Sequence, residues 1–299
     1  LEAAASGESA SEQALRDLTK LRRLTANSEA EEQALGRLVA KRPDQLDYRL
    51  RLVRVAMRND HYDEAAATLE AAFEGQRDIP LHLVLLRARI ALASDRKDEA
   101  LRLLESAVED RNLSGEEPRS VIEFARENYL DSLVIRMLAR DDGGDESAAL
   151  ELARFLHQRG RSDEAFSTLD RYVEAAGGER SEQAVRLRRV SGILRDFGEI
   201  ERALEAIDSA RGLDPDNVDL HSARANLLVE AGRIDDAIAQ LESIWGEGET
   251  FEERADIDQR IFSLLRGRYS SQARGKQDLS ILKDGNIQSL AQYRRLAAA

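Results

Sequence analysis

The side chains whose type and spacing best fit a chemical role are arginines. Arg54 and Arg89 lie 35 residues apart, and Arg154 follows after a further 65 residues, nearly two such intervals. A guanidinium group binds a carboxylate through two parallel hydrogen bonds, so a row of arginines favours a ligand that carries carboxylates. The chemistry indicated by this pattern is recognition of an acidic partner.

The sequence has no arrangement typical of an enzyme active site or a metal centre. A serine nucleophile elbow, a zinc-binding histidine pair and a calcium loop are absent, and there is no cysteine. Segment 267–276 imitates a phosphate-binding loop, but its glycines are too far apart and Gln277 follows its lysine. We predict a non-enzymatic protein with no cofactor or metal, in which four histidines are surface or half-buried helix residues: His61, His82, His157 and His221.

The elements that position the arginines are helical hairpins repeated every 34 or 35 residues. The segment Phe197-Gly198-Glu199-Ile200-Glu201-Arg202-Ala203 returns 34 residues later as Ala231-Gly232-Arg233-Ile234-Asp235-Asp236-Ala237. A helix stop and a new helix start lie between them at Leu213-Asp214-Pro215-Asp216-Asn217. Such a period predicts a solenoid of helix pairs.

Three sequence positions recur in this repeat, and we call each set of equivalent residues a column. The alanine column predicts close contact between two helices and contains Ala65, Ala100, Ala165, Ala203 and Ala237. The turn column, five residues earlier, predicts a left-handed backbone at Asp60, Asp95, Gly160, Gly198 and Gly232. Four residues after the alanine, buried bulk is predicted at Leu69, Leu104, Leu169, Ile207 and Leu241.

These columns resemble the tetratricopeptide repeat family. The resemblance implies an all-α fold, a right-handed superhelical solenoid of antiparallel helix pairs, with about six to seven hairpins and a C-terminal capping helix. The predicted organisation is a flexible tail at 1–10, hairpins within 11–249, and a capping helix and tail at 250–299. The hairpins are predicted at 12–43, 46–79, 81–112, 114–142, 146–178, 184–215 and 218–249. The fourth is degenerate: Val134 replaces the alanine and no turn glycine is present, so a bent or continuous helix is an alternative there.

In the resembled family the first helix of each hairpin lines a concave groove that holds a segment of another protein. The resemblance places in that groove the column eleven residues before the alanine, which reads Arg54, Arg89, Arg154, Gly192 and Asn226. Helical spacing adds Arg51, Arg188, Arg189 and Arg195, with leucine floors at Leu50, Leu85 and Leu150. We therefore predict an acidic, partly apolar peptide as the partner.

Two other interpretations of the groove residues remain. The arginines can simply pair with nearby glutamates such as Glu151, because exposed helix charges are usually solvated or paired. Asn226 matches the groove asparagine of family members that clamp a terminal carboxylate, but Gly192 stands at the neighbouring position, where that clamp needs a second asparagine.

Composition limits the class of partner and leaves three functions open. A net charge of −13 argues against nucleic acid and anionic lipid, and no stretch is apolar enough for membrane insertion. A protein-interaction scaffold is the main prediction. The first alternative is the repeat region of a larger cell-envelope, secretion or polysaccharide-export protein. The start at Leu1 rather than at methionine indicates a trimmed or processed chain and so permits this alternative. The second alternative is an RNA-binding repeat protein. Self-association is a further prediction, because the open end of a solenoid exposes an apolar face. The lack of cysteine fits both a cytoplasmic and a periplasmic location.

Overall fold

The protein is described by a computed structural model at residues 11–74, 79–109, 113–140 and 146–244, and at Arg260, Ile261, Ser263 and Leu264. Across these residues the fold is all-α, with 14 helices and no strand, which confirms the predicted helical repeat. The first three pairs are α1 (Glu12–Leu24) and α2 (Ser28–Lys41), α3 (Leu46–Arg58) and α4 (Tyr62–Ala72), α5 (Leu81–Ala93) and α6 (Lys97–Glu109). The fourth and fifth are α7 (Glu117–Glu127) and α8 (Asp131–Ala139), α9 (Glu146–Gln158) and α10 (Ser162–Glu174). The last two are α11 (Arg180–Asp196) and α12 (Ile200–Leu213), α13 (Val218–Glu230) and α14 (Ile234–Ile244).

The turn inside each pair has the same backbone geometry. One residue adopts a positive φ, and the N–H of the next residue donates to the carbonyl five positions back, as Arg161 does to Leu156 at 2.9 Å. This hydrogen bond closes the end of the first helix and satisfies one of its free carbonyls. In the turns inside the seven described pairs, the residues with positive φ are Ala26, Asp60, Asp95, Tyr129, Gly160, Gly198 and Gly232. The five predicted turn residues are therefore confirmed, and Ala26 and Tyr129 occupy the same position in the two pairs that lack an obvious turn residue.

The second helix of each pair buries the predicted columns. Every member of the predicted alanine column is fully buried, and so is its replacement Val134 in α8. The bulky column four residues later is also buried, and it includes Leu35 of α2 and Leu138. The backbone of α12 approaches α11 closely enough for the Ser191 hydroxyl to donate to the Ala203 carbonyl at 2.8 Å. Small residues at this position therefore allow close helix packing.

The fourth pair is two helices rather than one continuous helix. The left-handed residue Tyr129, with φ 54°, ends α7, and the Leu130 N–H donates to the Ala125 carbonyl at 2.9 Å. The tyrosine side chain is 71% exposed. The left-handed residue and the hydrogen-bonded cap distinguish this turn from the predicted alternative of a bent helix.

The chain divides into two compact units, Leu1–Met137 and Leu138–Ala299. In unit 1 a buried cluster joins α3, α4 and α5 through residues such as Val53, Leu69 and Ile90. In unit 2 a cluster joins α13 and α14 through Ala225 and Leu241, and the fully buried Ile261 belongs to it. Each helix pair thus buries its apolar face against adjacent helices, as expected of a repeat protein.

Several predicted segments fall outside the described residues. These are the tail 1–10, the loop 141–145 and most of the capping helix and tail at 250–299. Helix α11 begins at Arg180, before the predicted hairpin start at 184, and its 17 residues make it the longest described helix. None of the described helices is both long and apolar enough to span a membrane.

Candidate functional site

Unit 1 carries three of the predicted partner-binding arginines on first helices. Arg51 and Arg54 lie on α3 and Arg89 lies on α5. The Arg89 guanidinium carbon is 5.7 Å from the centroid of the Phe124 ring, so this arginine reaches the first helix of the next pair, α7. A cation over an aromatic face loses part of its freedom but keeps its charge and donors. Arg89 is therefore held in place while remaining exposed.

Unit 2 carries the other predicted residues on α9, α11 and α13. Arg154 of α9 is exposed, and Arg188 of α11 lies 3.6 Å from the Asp219 carboxylate of α13. Arg195 pairs with its neighbour Asp196 at 2.9 Å, and the hydrogen bond to that carboxylate raises the pKa of Arg195. All three arginines lie on first helices.

Two predicted residues are exposed but form hydrogen bonds with side chains of this protein. Arg189 donates to the hydroxyl of Tyr172 on α10 at 3.1 Å, and Asn226 accepts a hydrogen bond from Arg260. Gly192, next in the same column, has no atom within 4 Å of the position that a Cβ would occupy. No asparagine is therefore present at the neighbouring position of the column to complete the carboxylate clamp with Asn226.

The arginines differ in how their charges are satisfied. Arg54 and Arg154 are exposed, and neither has an ion pair or hydrogen bond to its side chain in the part of the chain that the structure describes. Other arginines pair with acids, for example the half-buried Arg87 with Glu70 and the exposed Arg136 with Glu105. The alternative in which all groove arginines are neutralised by neighbouring glutamates therefore does not describe these two.

Apolar surface accompanies the arginines at the predicted interval. Leu50, Leu85 and Leu150 each lie one helical turn before a groove arginine, and all three are half-buried. Leu50 packs against the buried cluster of α3, α4 and α5. Each of the first helices α3, α5 and α9 thus offers a positive group beside a partly accessible apolar side chain, a combination that suits a peptide with acidic and apolar residues.

The structure brings together one histidine and two carboxylates that the sequence did not connect. His61 Nδ1 lies 3.0 Å from both oxygens of Glu32 and 3.8 Å from Glu64, and the three side chains have the donor types that could hold a metal ion. Hydrogen bonding to Glu32 raises the pKa of His61. His61 occupies the position after the turn, where Arg161 and Arg233 pair with acids three residues later. His61 therefore occupies the place of those arginines, but its charge depends on pH.

Two further histidines have structural roles. The His157 ring stacks on Phe197 with centroids 3.9 Å apart, which joins α9 to the end of α11. His221 is buried, in contrast to the expected surface or half-buried position. Its Nε2 donates to the Pro215 carbonyl at 2.7 Å and its Nδ1 accepts from the Gln240 amide at 2.8 Å, so burial leaves neither ring nitrogen unsatisfied.

Comparison with protein-family profiles gives three matches, all described as tetratricopeptide repeat. They cover residues 50–116, 147–171 and 194–255, which together are more than half of the chain. Repeats of this family are generally non-catalytic modules of protein–protein interaction, and that general role fits this chain. No match was found among proteins of curated function.

Solved structures resemble the chain in fold at low sequence identity. Naa15/Naa10 bound to HypK-THB matches at 15% identity with a TM-score of 0.40, over 89% of this chain and 42% of that one. A tetratricopeptide repeat protein from Parabacteroides merdae matches at 13% identity with a TM-score of 0.39, over 82% of this chain and 96% of that one. The TPR2AB-domain:pHSP90 complex of yeast Sti1 matches at 10% identity with a TM-score of 0.34, over 85% of this chain and 96% of that one. The chain therefore spans less than half of the Naa15/Naa10 chain that it matches.

Proposed function

Because the chain belongs to the tetratricopeptide repeat family, we propose that it is a non-enzymatic scaffold that binds a segment of a partner protein on its first helices. The proposed segment contains acidic and apolar residues. Its carboxylates meet Arg54 and Arg89 in unit 1 or Arg154 in unit 2, and its apolar side chains lie against the half-buried leucine one turn before each arginine. Arg51 on α3, and Arg188 and Arg195 on α11, supply additional positive charge.

The observation that carries this proposal is the pair of unneutralised arginines, Arg54 and Arg154. Acidic residues outnumber basic ones in this protein, 57 to 44, so an exposed arginine has many chances to pair. Both side chains nevertheless have no ionic partner in the described residues. An incoming carboxylate would therefore gain bidentate hydrogen bonds without displacing an internal one.

The proposal is tested with a fluorescent peptide of alternating glutamate and leucine residues, measured by fluorescence anisotropy. The double variant Arg54→Glu/Arg154→Glu should weaken binding by about tenfold or more, because an attractive contact in each unit becomes repulsive. The matched control is Arg23→Glu/Arg102→Glu, which changes two other exposed and unpaired arginines and alters the net charge equally.

The position of the substitutions must matter if the arginines form a binding surface. Equal losses in the two double variants would mean that the peptide senses only the net charge, and an unchanged affinity for Arg54→Glu/Arg154→Glu would contradict the proposal directly. Circular dichroism melts of both variants check that the fold is intact, which is expected because the substituted side chains are exposed and make no hydrogen bond or ion pair in the described residues.

A further inference from the structure

Unit 2 contains an open cavity of about 460 Å³ on a surface separate from the predicted arginine residues. Leu187, Val190 and Leu194 of α11 form one wall, and residues of α10 and α12 form the others. The three leucine and valine residues recur at helical spacing along one stripe of α11, whereas Arg188 and Arg195 lie along another. The cavity therefore lies between the second helices of the fifth and sixth pairs.

The cavity lies where the repeat interval is widest. Ala165 and Ala203 are 38 residues apart, compared with 34 between Ala203 and Ala237. The additional residues lie around Gly177 and Gly178, both of which have a positive φ, and in the long helix α11. The cavity thus accompanies an insertion between two repeats.

Exposed carboxylates surround the apolar floor of the cavity, which Leu187, Val190 and Leu194 of α11 form. Asp170, Glu174 and Glu205 line the cavity, and their side chains have no hydrogen bond or ion pair in the described residues. One cation is present at the rim, Arg202, whose guanidinium carbon lies 4.0 Å from the centroid of the Phe166 ring. Three carboxylates and one guanidinium leave the rim with a net negative charge.

We propose that this cavity binds a basic amphipathic segment of a partner protein. Apolar side chains of the segment enter against the α11 wall, and its lysine or arginine side chains pair with the carboxylates at the rim. The acidic rim complements basic residues and repels phosphate groups, so it selects a cationic peptide over nucleic acid or an anionic membrane. This surface would give the protein a second binding preference, opposite in charge to that of the arginines on the first helices.

The test uses an acetylated, amidated peptide with leucine and lysine residues at helical spacing, and its analogue with glutamate in place of lysine. Isothermal titration calorimetry should show binding of the lysine peptide and at least about tenfold weaker binding of the glutamate analogue. The triple variant Asp170→Asn/Glu174→Gln/Glu205→Gln should weaken binding of the lysine peptide by about tenfold. A control with the same change in net charge is Asp163→Asn/Glu201→Gln/Asp216→Asn, which alters exposed acids outside the cavity.

A second variant tests the apolar floor separately. Ser209 is exposed on α12 at the edge of the cavity, so Ser209→Trp should cover the floor without entering the buried core. Ser209→Trp should weaken binding of the lysine peptide by a similar factor, while circular dichroism should show an unchanged melting temperature. The Arg54→Glu/Arg154→Glu variant should still bind this peptide, which separates the present proposal from the proposed function.

Four results would each overturn the proposal. They are no binding of the lysine peptide at millimolar concentration, equal binding of the two peptides, equal losses in the two triple variants, and no effect of Ser209→Trp. If sedimentation instead shows a dimer that Ser209→Trp dissociates, the occupant is a second copy of this chain and the proposed basic segment is wrong.

Discussion

At the scale of single residues, the first helix pair has a glutamate, Glu31, at the position where other pairs have the column alanine. It follows the left-handed residue Ala26 by five positions, as each alanine follows its own turn residue, and only 4% of its side chain is exposed. Arg58 donates to its carboxylate at 2.9 Å. The first pair therefore places a paired charge where the other pairs place an alanine or valine.

Removing either partner of this ion pair should have unequal effects on stability. Arg58→Met should destabilise the protein by about 1–3 kcal/mol, because it leaves a buried carboxylate without its partner. Glu31→Ala should cost less than Arg58→Met or be neutral, since it restores the residue of the other repeats and releases Arg58 to water. Urea denaturation of the two variants gives the comparison, and a larger loss for Glu31→Ala would show that the pair is a net source of stability.

His61 makes one contact between repeats dependent on pH. Because Glu32 raises its pKa, the folded state binds the proton more tightly than the unfolded state does. The resulting stability is fully present below the usual histidine pKa of 6.5 and is lost as the pH rises through the raised value. The melting temperature of the wild type should therefore fall between about pH 6 and 8 relative to that of His61→Arg, which stays charged.

Histidine 82 provides the control for this pH dependence. It is exposed on α5 and has no side-chain bond in the described residues, so His82→Arg should follow the wild-type pH profile. Thermal melts followed by circular dichroism at several pH values make the measurement. Parallel profiles for the wild type and His61→Arg would exclude His61 as a source of the dependence.

At the scale of helices, the sequence predicted the elements wherever a column kept its residue type. Alanine at a close helix contact and glycine or aspartate at a left-handed turn each have a local physical reason, so Ala65 and Gly160 could be placed from the chain alone. Ala26 and Tyr129 could not, because hydrogen bonds of the cap impose their positive φ against their own preference. The His61 cluster was also missed, since Glu32 comes from the preceding pair and only packing brings it close.

The alanine column makes a direct prediction about helix packing. Ala203 is fully buried where α11 and α12 approach, so Ala203→Leu should destabilise the protein by about 1–3 kcal/mol through overpacking. Ala239 of α14 is exposed, and Ala239→Leu should therefore change stability by less than about 0.5 kcal/mol. Urea denaturation of both variants tests the difference, and a neutral Ala203→Leu would show that this position tolerates a wider helix separation.

At the scale of the whole molecule, fold and binding depend on different parts of the sequence. The fold rests on buried columns that recur along the chain, which is why the family could be identified from spacing. The proposed binding residues are exposed and vary from repeat to repeat, from Arg154 to Gly192 and Asn226, so the same spacing cannot specify the partner. The cavity of unit 2 escaped prediction for a related reason, because it arises where the interval changes.

This separation predicts that salt will act on binding far more than on folding. Raising the ionic strength from about 0.1 to 1 M shortens the screening length from about 10 to 3 Å, which weakens exposed charge pairs. The affinity for the glutamate and leucine peptide should fall by about tenfold or more over this range, because the proposed contacts of Arg54 and Arg154 are at the surface. The melting temperature should change by only a few degrees, since exposed ion pairs contribute about 0–1 kcal/mol each and the columns are apolar. Anisotropy titrations and thermal melts in the same buffers test both parts, and an affinity that survives 1 M salt would assign the binding to the leucines rather than to the arginines.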